Sequence, residues 1–351
     1  MKRLLVIALL IASAFTAGAA SFSDRAATGQ TLYFTTTSES TAKVVSGSEK
    51  PSGRLVIPAT VQGYTVTEIG SMAFSGCTGL TSVEVPGSVA TVGMRAFAGC
   101  SALTSVRFAE GLRSLGLMAF SSCTALDTID LPSTLTSISM GTLGNTAYIN
   151  NPDNWDSLLL YVGHYLFEAR SALDGTLTVA DGTLGIANNA CNHCAIDKAV
   201  LPQSLRFIGD QAFTECEQLD SVHLLADRPP LLGAEPFRNT PEGLVIGVPC
   251  GSAANYRADA NWRTLNIVDD CSWPQAISLA SQPFHATVTT VPGGICIEAD
   301  SPCRIAVYDA MGRRLAATDP RQQSTMVPLP ASGVYIVSLD GTATRKICYL
   351  K

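Results

Sequence analysis

The stretch SMAFSGCTGLTSVEVPGSVATVGMRAFAGC, Ser71 to Cys100, spells one phrase twice. MAFSGCTGL at Met72–Leu80 returns as RAFAGCSAL at Arg95–Leu103 and again as MAFSSCTAL at Met118–Leu126. Phe74, Phe97, Phe120 and Leu143 are spaced by 23 residues, and the same offset aligns Leu80, Leu103, Leu126 and Ile149. Self-similarity at a fixed period of this size marks a stack of repeated units rather than a conventional globular domain. The unit reads L-x-x-V-x-V-P-x-x-V-x-x-V-G-x-x-A-F-x-x-C, as in Leu80, Val83, Val85, Pro86, Val89, Val92, Gly93, Ala96, Phe97 and Cys100.

Val83 and Val85 alternate with Ser82 and Glu84, which predicts a strand with one buried face, and Pro86 ends it because proline has no amide to donate. Phe97, Cys100 and Leu103 recur near helical spacing, which predicts a short α or 3₁₀ turn with one face inward. One such unit buries almost nothing alone. Stacked units bury a continuous core, with residues of equal phase forming columns. The cysteines Cys77, Cys100 and Cys123 then read as small buried thiols. A disulfide ladder between coils is the alternative, although three cysteines cannot all pair within the column.

The repeat, with IPATVQGYTVTEIGSMAFSGC at Ile57–Cys77 and the turns PAT and VPG, resembles the BspA-type leucine-rich repeats of bacterial surface proteins, over roughly residues 30 to 270. The expected fold is an α/β leucine-rich-repeat solenoid, one short strand plus one short helical turn per 23-residue coil, followed by a small all-β immunoglobulin-like sandwich. Residues 21–54 would form an N-terminal β cap and 55–270 the solenoid, with a degenerate insert at 150–176 and a C-terminal cap at 229–270. Cys191 stands where the repeat has Phe, Thr146 replaces the column cysteine, and His223 replaces a short polar residue; Phe213, Cys216 and Leu219 restore the register.

Lys2 and Arg3 precede an apolar run from Leu4 to Phe15, and Ala17, Gly18 and Ala19 offer a cleavage site, so residues 1–20 read as a signal peptide. The run is shorter than the ~20 apolar residues of a membrane span, and the mature chain has no transmembrane segment. Losing Lys2 and Arg3 moves the formal charge from −6 to −8. An acidic chain has no cationic surplus for phosphates, so nucleic acid is not an expected partner.

From Trp273 the period disappears, and short alternating runs such as HATVTTV, GICIEA and GVYIVSL take over, which predicts a β-sandwich. VYDAMGRR (Val307–Arg314), LPASGVYIVSL (Leu329–Leu339) and the terminal RKICYLK resemble the C-terminal sorting domain of the type IX secretion system, assigned to residues 274–351. Tyr308, Asp309, Gly312, Arg313, Gly333, Tyr335 and Lys346 carry that likeness. The resemblance implies contact with secretion machinery and delivery through the periplasm to the outer surface of a Bacteroidetes-like cell.

Chemistry-bearing motifs are sparse. His164, His193, His223 and His285 sit in no G-x-S-x-G or H-E-x-x-H phrase, and no nucleophile, base and orienting group come together, so the chain is expected not to be an enzyme. Cys191, His193 and Cys194 in CNHC supply half a zinc set with no second pair, and no metal or cofactor is expected. NNPDNWD, Asn150–Asp156, offers oxygen donors to calcium but lacks the Gly and distant Glu of a hand-type loop, and reads as a turn. Cys296 with Cys303, across a hairpin, and Cys250 with Cys271, near the cap, are candidate disulfides. On the outward strand face Ser82, Ser105 and Thr128 share one phase, and Glu84, Arg107 and Asp130 share the next. This polar ladder on the concave strand face is the candidate binding surface for an extracellular protein, of host matrix or another bacterium; the alternative is a spacer whose charges stabilise only the stack.

Overall fold

The structure, a computed structural model, describes residues 19–271 and, after them, 286–291, 294–299, 305–309, 314–317, 324–329, 333–339 and 343–349. The expected signal peptide lies almost wholly outside the described residues. The chain divides into two units, the first ending at Asp269 and the second starting at Asp270.

The first unit opens with an antiparallel meander, β1 (Ser21–Arg25), β2 (Thr31–Thr36) and β3 (Thr41–Val45). Leu32, Phe34, Ala42 and Val44 alternate inward and are fully buried, so the meander closes one end of the core. Then come β4 (Gly53–Val56), β5 (Thr60–Val61) and β6 (Tyr64–Ile69), followed by one longer and one two-residue strand per coil. These are β7 (Leu80–Val85) with β8 (Thr91–Val92), β9 (Ser105–Phe108) with β10 (Ser114–Leu115), and β11 (Thr128–Asp130) with β12 (Ser137–Ile138). The longer strands form one sheet, in the order β11-β9-β7-β4, and the short ones continue the meander's sheet through β3-β6-β8-β10-β12. Between coils the pairing is parallel and in phase, Val83 opposite Val106 and Ile129 opposite Val106.

The third wall differs from the expectation. The segment holding Phe74, Phe97 and Phe120 is neither α nor 3₁₀ helix but a run of tight turns. Alternate amides close turns within the coil, Ala73 N to Gly70 O, Ser75 N to Met72 O and Cys77 N to Phe74 O. The amides between them leave the coil, with Met72, Phe74 and Gly76 donating to Met94 O, Ala96 O and Ala98 O at 2.9, 2.7 and 2.8 Å. A helix would spend all these amides internally. The turn wall instead needs left-handed backbone twice per coil, at Met72 and Gly76 (φ 60° and 69°) and at Arg95 and Gly99 (54° and 74°). A side-chain-bearing residue loses about 1–2 kcal/mol in that region. Glycine at the second site removes roughly half of this loss, and three inter-coil hydrogen bonds of about 0.5–1.5 kcal/mol each outweigh the rest.

Inside, the columns are filled as the period requires. Phe74, Phe97 and Phe120 stack with ring centroids 5.0 and 5.1 Å apart. Gly93 and Gly116 lie where coils touch: a Cβ on Gly116 would stand 2.6 Å from Gly93 C and 2.7 Å from Met94 N.

The stack is interrupted at Thr146. Its hydroxyl accepts from Ile149 N and caps the single-turn α1 (Ala147–Asn150), which leads through a 3₁₀ turn into the antiparallel β13 (Trp155–Asp156), β14 (Leu159–Val162) and β15 (Tyr165–Ala169). β15 then pairs in parallel with the first short strand of a second stack, so the insert supplies a coil wall of its own. That stack runs β16 (Asp174–Thr178), β17 (Gly185–Ile186), β18 (Ala195–Leu201), β19 (Phe207–Ile208), β20 (Ser221–Leu224), β21 (Leu231–Leu232) and β22 (Val245–Pro249). The six-residue helix α2 (Ala253–Ala258) and β23 (Ile267–Asp270) close it, with β23 beside β22. Tyr256 and Trp262 fill the cap edge to face at 5.1 Å, and each donates to a backbone carbonyl, Tyr256 to Ala226 and Trp262 to Pro230, both at 2.7 Å.

The second unit holds β24 (Ala286–Val291), β25 (Gly294–Ala299), β26 (Ile305–Asp309), β27 (Arg314–Ala317), β28 (Ser324–Pro328), β29 (Gly333–Leu339) and β30 (Ala343–Tyr349). They form antiparallel sheets in the orders β24-β25-β28 and β27-β26-β29-β30, and Ile295, Ile297, Ile305, Val307, Val327 and Val337 make one buried cluster between them.

Candidate functional site

The strands β4, β7, β9 and β11 present their outward residues in the phases the repeat dictates. Ser82 lies opposite Ser105 and Ser105 opposite Thr128; Glu84 lies opposite Arg107 and Arg107 opposite Asp130. Val83, Val106 and Ile129 point the other way and are buried, because successive side chains alternate across a strand. The result is a wall of hydroxyls flanked by charges of alternating sign. Arg54, on the edge strand β4, adds one more cation: its Nη2 and Nε donate to Glu84 Oε1 at 2.7 and 3.2 Å. Arg107 Nε is 3.7 Å from Asp130 Oδ2. These side chains are between 46% and 78% exposed, so each ion pair contributes at most about 1 kcal/mol and is weakened by salt. The face is therefore a charged surface held in register by its backbone more than by its charges.

The other singled-out residues have structural work. Cys100 Sγ donates to Phe74 O at 3.2 Å, and Cys123 Sγ to Phe97 O at 3.1 Å. The cysteine column thus consists of free thiols that tie each coil to the phenylalanine of the coil before it, and no ladder of disulfides forms there. A thiol contact with Cys123 and burial push the Cys100 thiol up to about 12, so it stays protonated and unreactive. Thr146, the departure from this column, satisfies its hydroxyl on Leu143 O of its own coil at 2.8 Å.

In CNHC, Cys191 keeps the phenylalanine phase, donating its amide to Ala212 O and accepting Cys216 Sγ on its carbonyl at 3.0 Å. His193 occupies a left-handed turn position, φ 58°, and its amide meets Thr214 O. His223 lies on β20 between Val200 and Gly247. Among the described residues no group of His, Cys, Asp and Glu is arranged to hold a metal ion. In NNPDNWD the side chains cap the local turns: Asn151 Oδ1 accepts from Asp153 N at 3.0 Å, and Asn154 Nδ2 donates to Tyr148 O at 2.8 Å.

The two disulfide expectations part company. Cys250 and Cys271 are both disulfide-bonded. Cys296 is a free thiol whose ladder neighbours on β24 and β28 are Thr289 and Met326. Cys303, Gly312 and Arg313 lie outside the described residues. Tyr308 and Asp309 fall on β26, Gly333 and Tyr335 on β29, and Lys346 on β30.

Sequence reasoning passed over two surfaces. Met72, Met94 and Met140 are 50%, 44% and 47% exposed on the turn wall, Met94 and Met140 in one phase two coils apart and Met72 in the phase beside it. The last coil carries a groove of about 530 Å³ between Leu232–Arg238 and the loop Ala260–Leu265. The methionines were legible as neighbours on one wall once the phases were aligned. The groove was not, because it depends on where the stack stops.

A family model described as the BspA type leucine rich repeat region matches in six copies, over residues 56–174 and 184–241. Among solved structures, the chain is similar to a leucine-rich repeat protein of T. pallidum, with 22% identity and a TM-score of 0.34 over 60% of this chain and 88% of that one. It is also similar to a leucine-rich repeat protein of Bacteroides ovatus, with 21% identity and a TM-score of 0.34 over 67% and 65%. A leucine rich cell surface protein of Faecalibacterium prausnitzii gives 16% identity and a TM-score of 0.27 over 71% and 94%. No curated protein matches the chain.

Proposed function

The chain belongs to the BspA type leucine-rich repeat family, and from that premise we propose that it is a non-enzymatic binding protein shown on the outer cell surface, where the outward face of β4, β7, β9 and β11 docks another protein. The observation that carries this reading is the register of that face: Ser82, Ser105 and Thr128 beside Glu84, Arg107 and Asp130, an exposed wall whose charges alternate at fixed spacing. Extended faces of this kind are where stacked repeats meet partners, and alternating charge favours a partner of complementary pattern. Adhesion to host matrix protein or to another bacterium is the activity that the reading implies. The apolar start of the chain and the C-terminal words supply the route: an export signal at 1–20 and a type IX sorting sandwich at 274–351, of immunoglobulin-like type. No helix among the described residues is long and apolar enough to cross a membrane.

The test compares cells with and without the gene, washed over immobilised matrix proteins and over other bacteria. Retention should drop in the deletion strain, and should drop as far with the triple change Glu84→Ala, Arg107→Ala, Asp130→Ala; equal retention in all three strains removes adhesion through this face. The spacer reading is favoured by one specific observation, that Arg54–Glu84 and Arg107–Asp130 satisfy the charges within the face. For the route, deleting residues 274–351 should leave the protein in the periplasm, and finding it still on the surface would refute the sorting role.

A further inference from the structure

We propose that the C-terminal rim of the turn wall docks an extended polypeptide segment of another protein, taken up as one further coil. In each complete junction three amides of one coil donate forward to three carbonyls of the next. Met72, Phe74 and Gly76 donate to Met94, Ala96 and Ala98, and Gln211, Phe213 and Glu215 donate to Ala234, Pro236 and Arg238 at 2.9, 2.8 and 2.9 Å. In the last coil Glu235, Phe237 and Asn239 hold the same phase, and none of their amides donates to a described residue. The rim is thus a row of backbone donors at every second residue, an edge of the kind that another chain extends.

The interior junctions show what chemistry covers such a row. The central donor meets the carbonyl of Ala96, Ala119, Thr142, Ala212 or Pro236 in successive junctions. The covering residue is small or proline, and it needs no amide of its own at that position. The occupant is therefore a segment with Ala, Thr or Pro at its centre and carbonyls two residues to either side. Room for it exists: the groove of about 530 Å³ lies against this rim, with Leu232, Phe237 and Leu265 for apolar contact.

Two features separate this site from other ends of the ladder. Gly141, Leu143 and Asn145 also lack forward acceptors among the described residues, but there Leu160 and Phe167 of the insert close over the coil and leave only about 40 Å³. At the opposite end of the stack the first coil is covered by the chain itself. Gly70 N meets Val44 O at 2.8 Å, and Lys50 Nζ donates to Ser75 O at 2.7 Å. A second copy stacked head to tail would have to displace that cap, so the occupant is a foreign segment.

The probe is a fluorescein-labelled synthetic peptide copying Leu231–Thr240, the segment that covers Gln211, Phe213 and Glu215 within the fold. Titrated into the whole mature chain it should bind saturably, and amide hydrogen exchange at Glu235, Phe237 and Asn239, fast in the free protein, should slow by about tenfold or more at saturation. Thr264→Trp, an exposed change that fills the groove, should weaken binding by about tenfold or more without altering the melting temperature. The Glu84→Ala, Arg107→Ala, Asp130→Ala protein should bind the peptide as wild type does, which keeps this site apart from the strand face. The proposal is overturned if the peptide does not bind, if those amides are already protected in the free protein, if they exchange unchanged in the complex, or if Thr264→Trp binds as wild type.

Discussion

Single positions in a stacked coil carry several demands at once, and the cysteines show it. Cys100 has to fill a small apolar space, donate to Phe74 O and leave room for Cys77 and Cys123 in its own column. A thiol does all three, whereas alanine loses the donor. The same residue type recurs at Cys194 and Cys216, where burial raises the thiols to about 11 and about 12 from an ordinary 9.0. An acid whose folded pKa is raised keeps its full contribution below the unfolded value, and loses it as pH climbs through the folded one. The raised thiols of Cys194 and Cys216 should therefore make stability fall between about pH 9 and 12 in urea unfolding, and Cys216→Ala should flatten part of that fall. The phases can be tested at this scale as well. Phe97→Ala removes a ring stacked on both sides and should cost about 3–5 kcal/mol, while Glu84→Ala, on the exposed face, should cost under about 1 kcal/mol. Similar losses in the two variants would contradict the assignment of inside and outside.

At the scale of the element, the turn wall explains why the repeat contains glycine in two different ways. Gly116 is required by proximity, since a Cβ there would meet the backbone of Gly93 and Met94 inside 2.8 Å. Gly99 is required by conformation only, with φ 74° and nothing closer to its Cβ than 3.9 Å. Ser122 occupies the equivalent of Gly99 at φ 60°, so a side chain there is strained but tolerated. Thermal or chemical melts should then rank Gly116→Ala, which forces backbone apart at about 1–3 kcal/mol or more, above Gly99→Ala at about 1 kcal/mol. Ser122→Gly should be neutral or slightly stabilising. This wall also marks the limit of what the sequence showed. The strands were readable because Val83 and Val85 alternate with Ser82 and Glu84, and strand alternation has one interpretation. The spacing of Phe97, Cys100 and Leu103 fits a helix and a chain of turns equally well, and what decides between them is whether the amides at Phe74 and Gly76 find carbonyls on the neighbouring coil. That neighbour is 23 residues away and invisible to a local reading. The charged columns were legible for the opposite reason, since phase alone sets them. The rim at Glu235–Asn239 was illegible, because it depends on where the described stack ends.

For the repeat unit as a whole, stability is the sum of coils and the junctions between them, so its ends decide where it opens first. The N-terminal end is tied by a meander whose buried strands continue the short-strand sheet directly through β3 and β6. The C-terminal end relies on a small cap in which Trp262 and Tyr256 reach back to the carbonyls of Pro230, Ala226 and Arg228. These aromatic contacts join the cap to the loop after β20 rather than to the turn wall, and no described residue accepts from the rim amides beside them. Trp262→Ala removes a fully buried side chain and its hydrogen bond, for an expected loss of about 3–5 kcal/mol. In a cooperative globular domain that loss would lower protection everywhere alike. In a stack it should be directional: hydrogen exchange should rise first in β20 and β22, then in β18, with β7 and β9 keeping wild-type protection until global unfolding. A uniform rise across all coils would mean that the interrupted stack, joined across its insert by Asn188 N on Ile138 O and Tyr165 Oη on Pro132 O, behaves as one cooperative block.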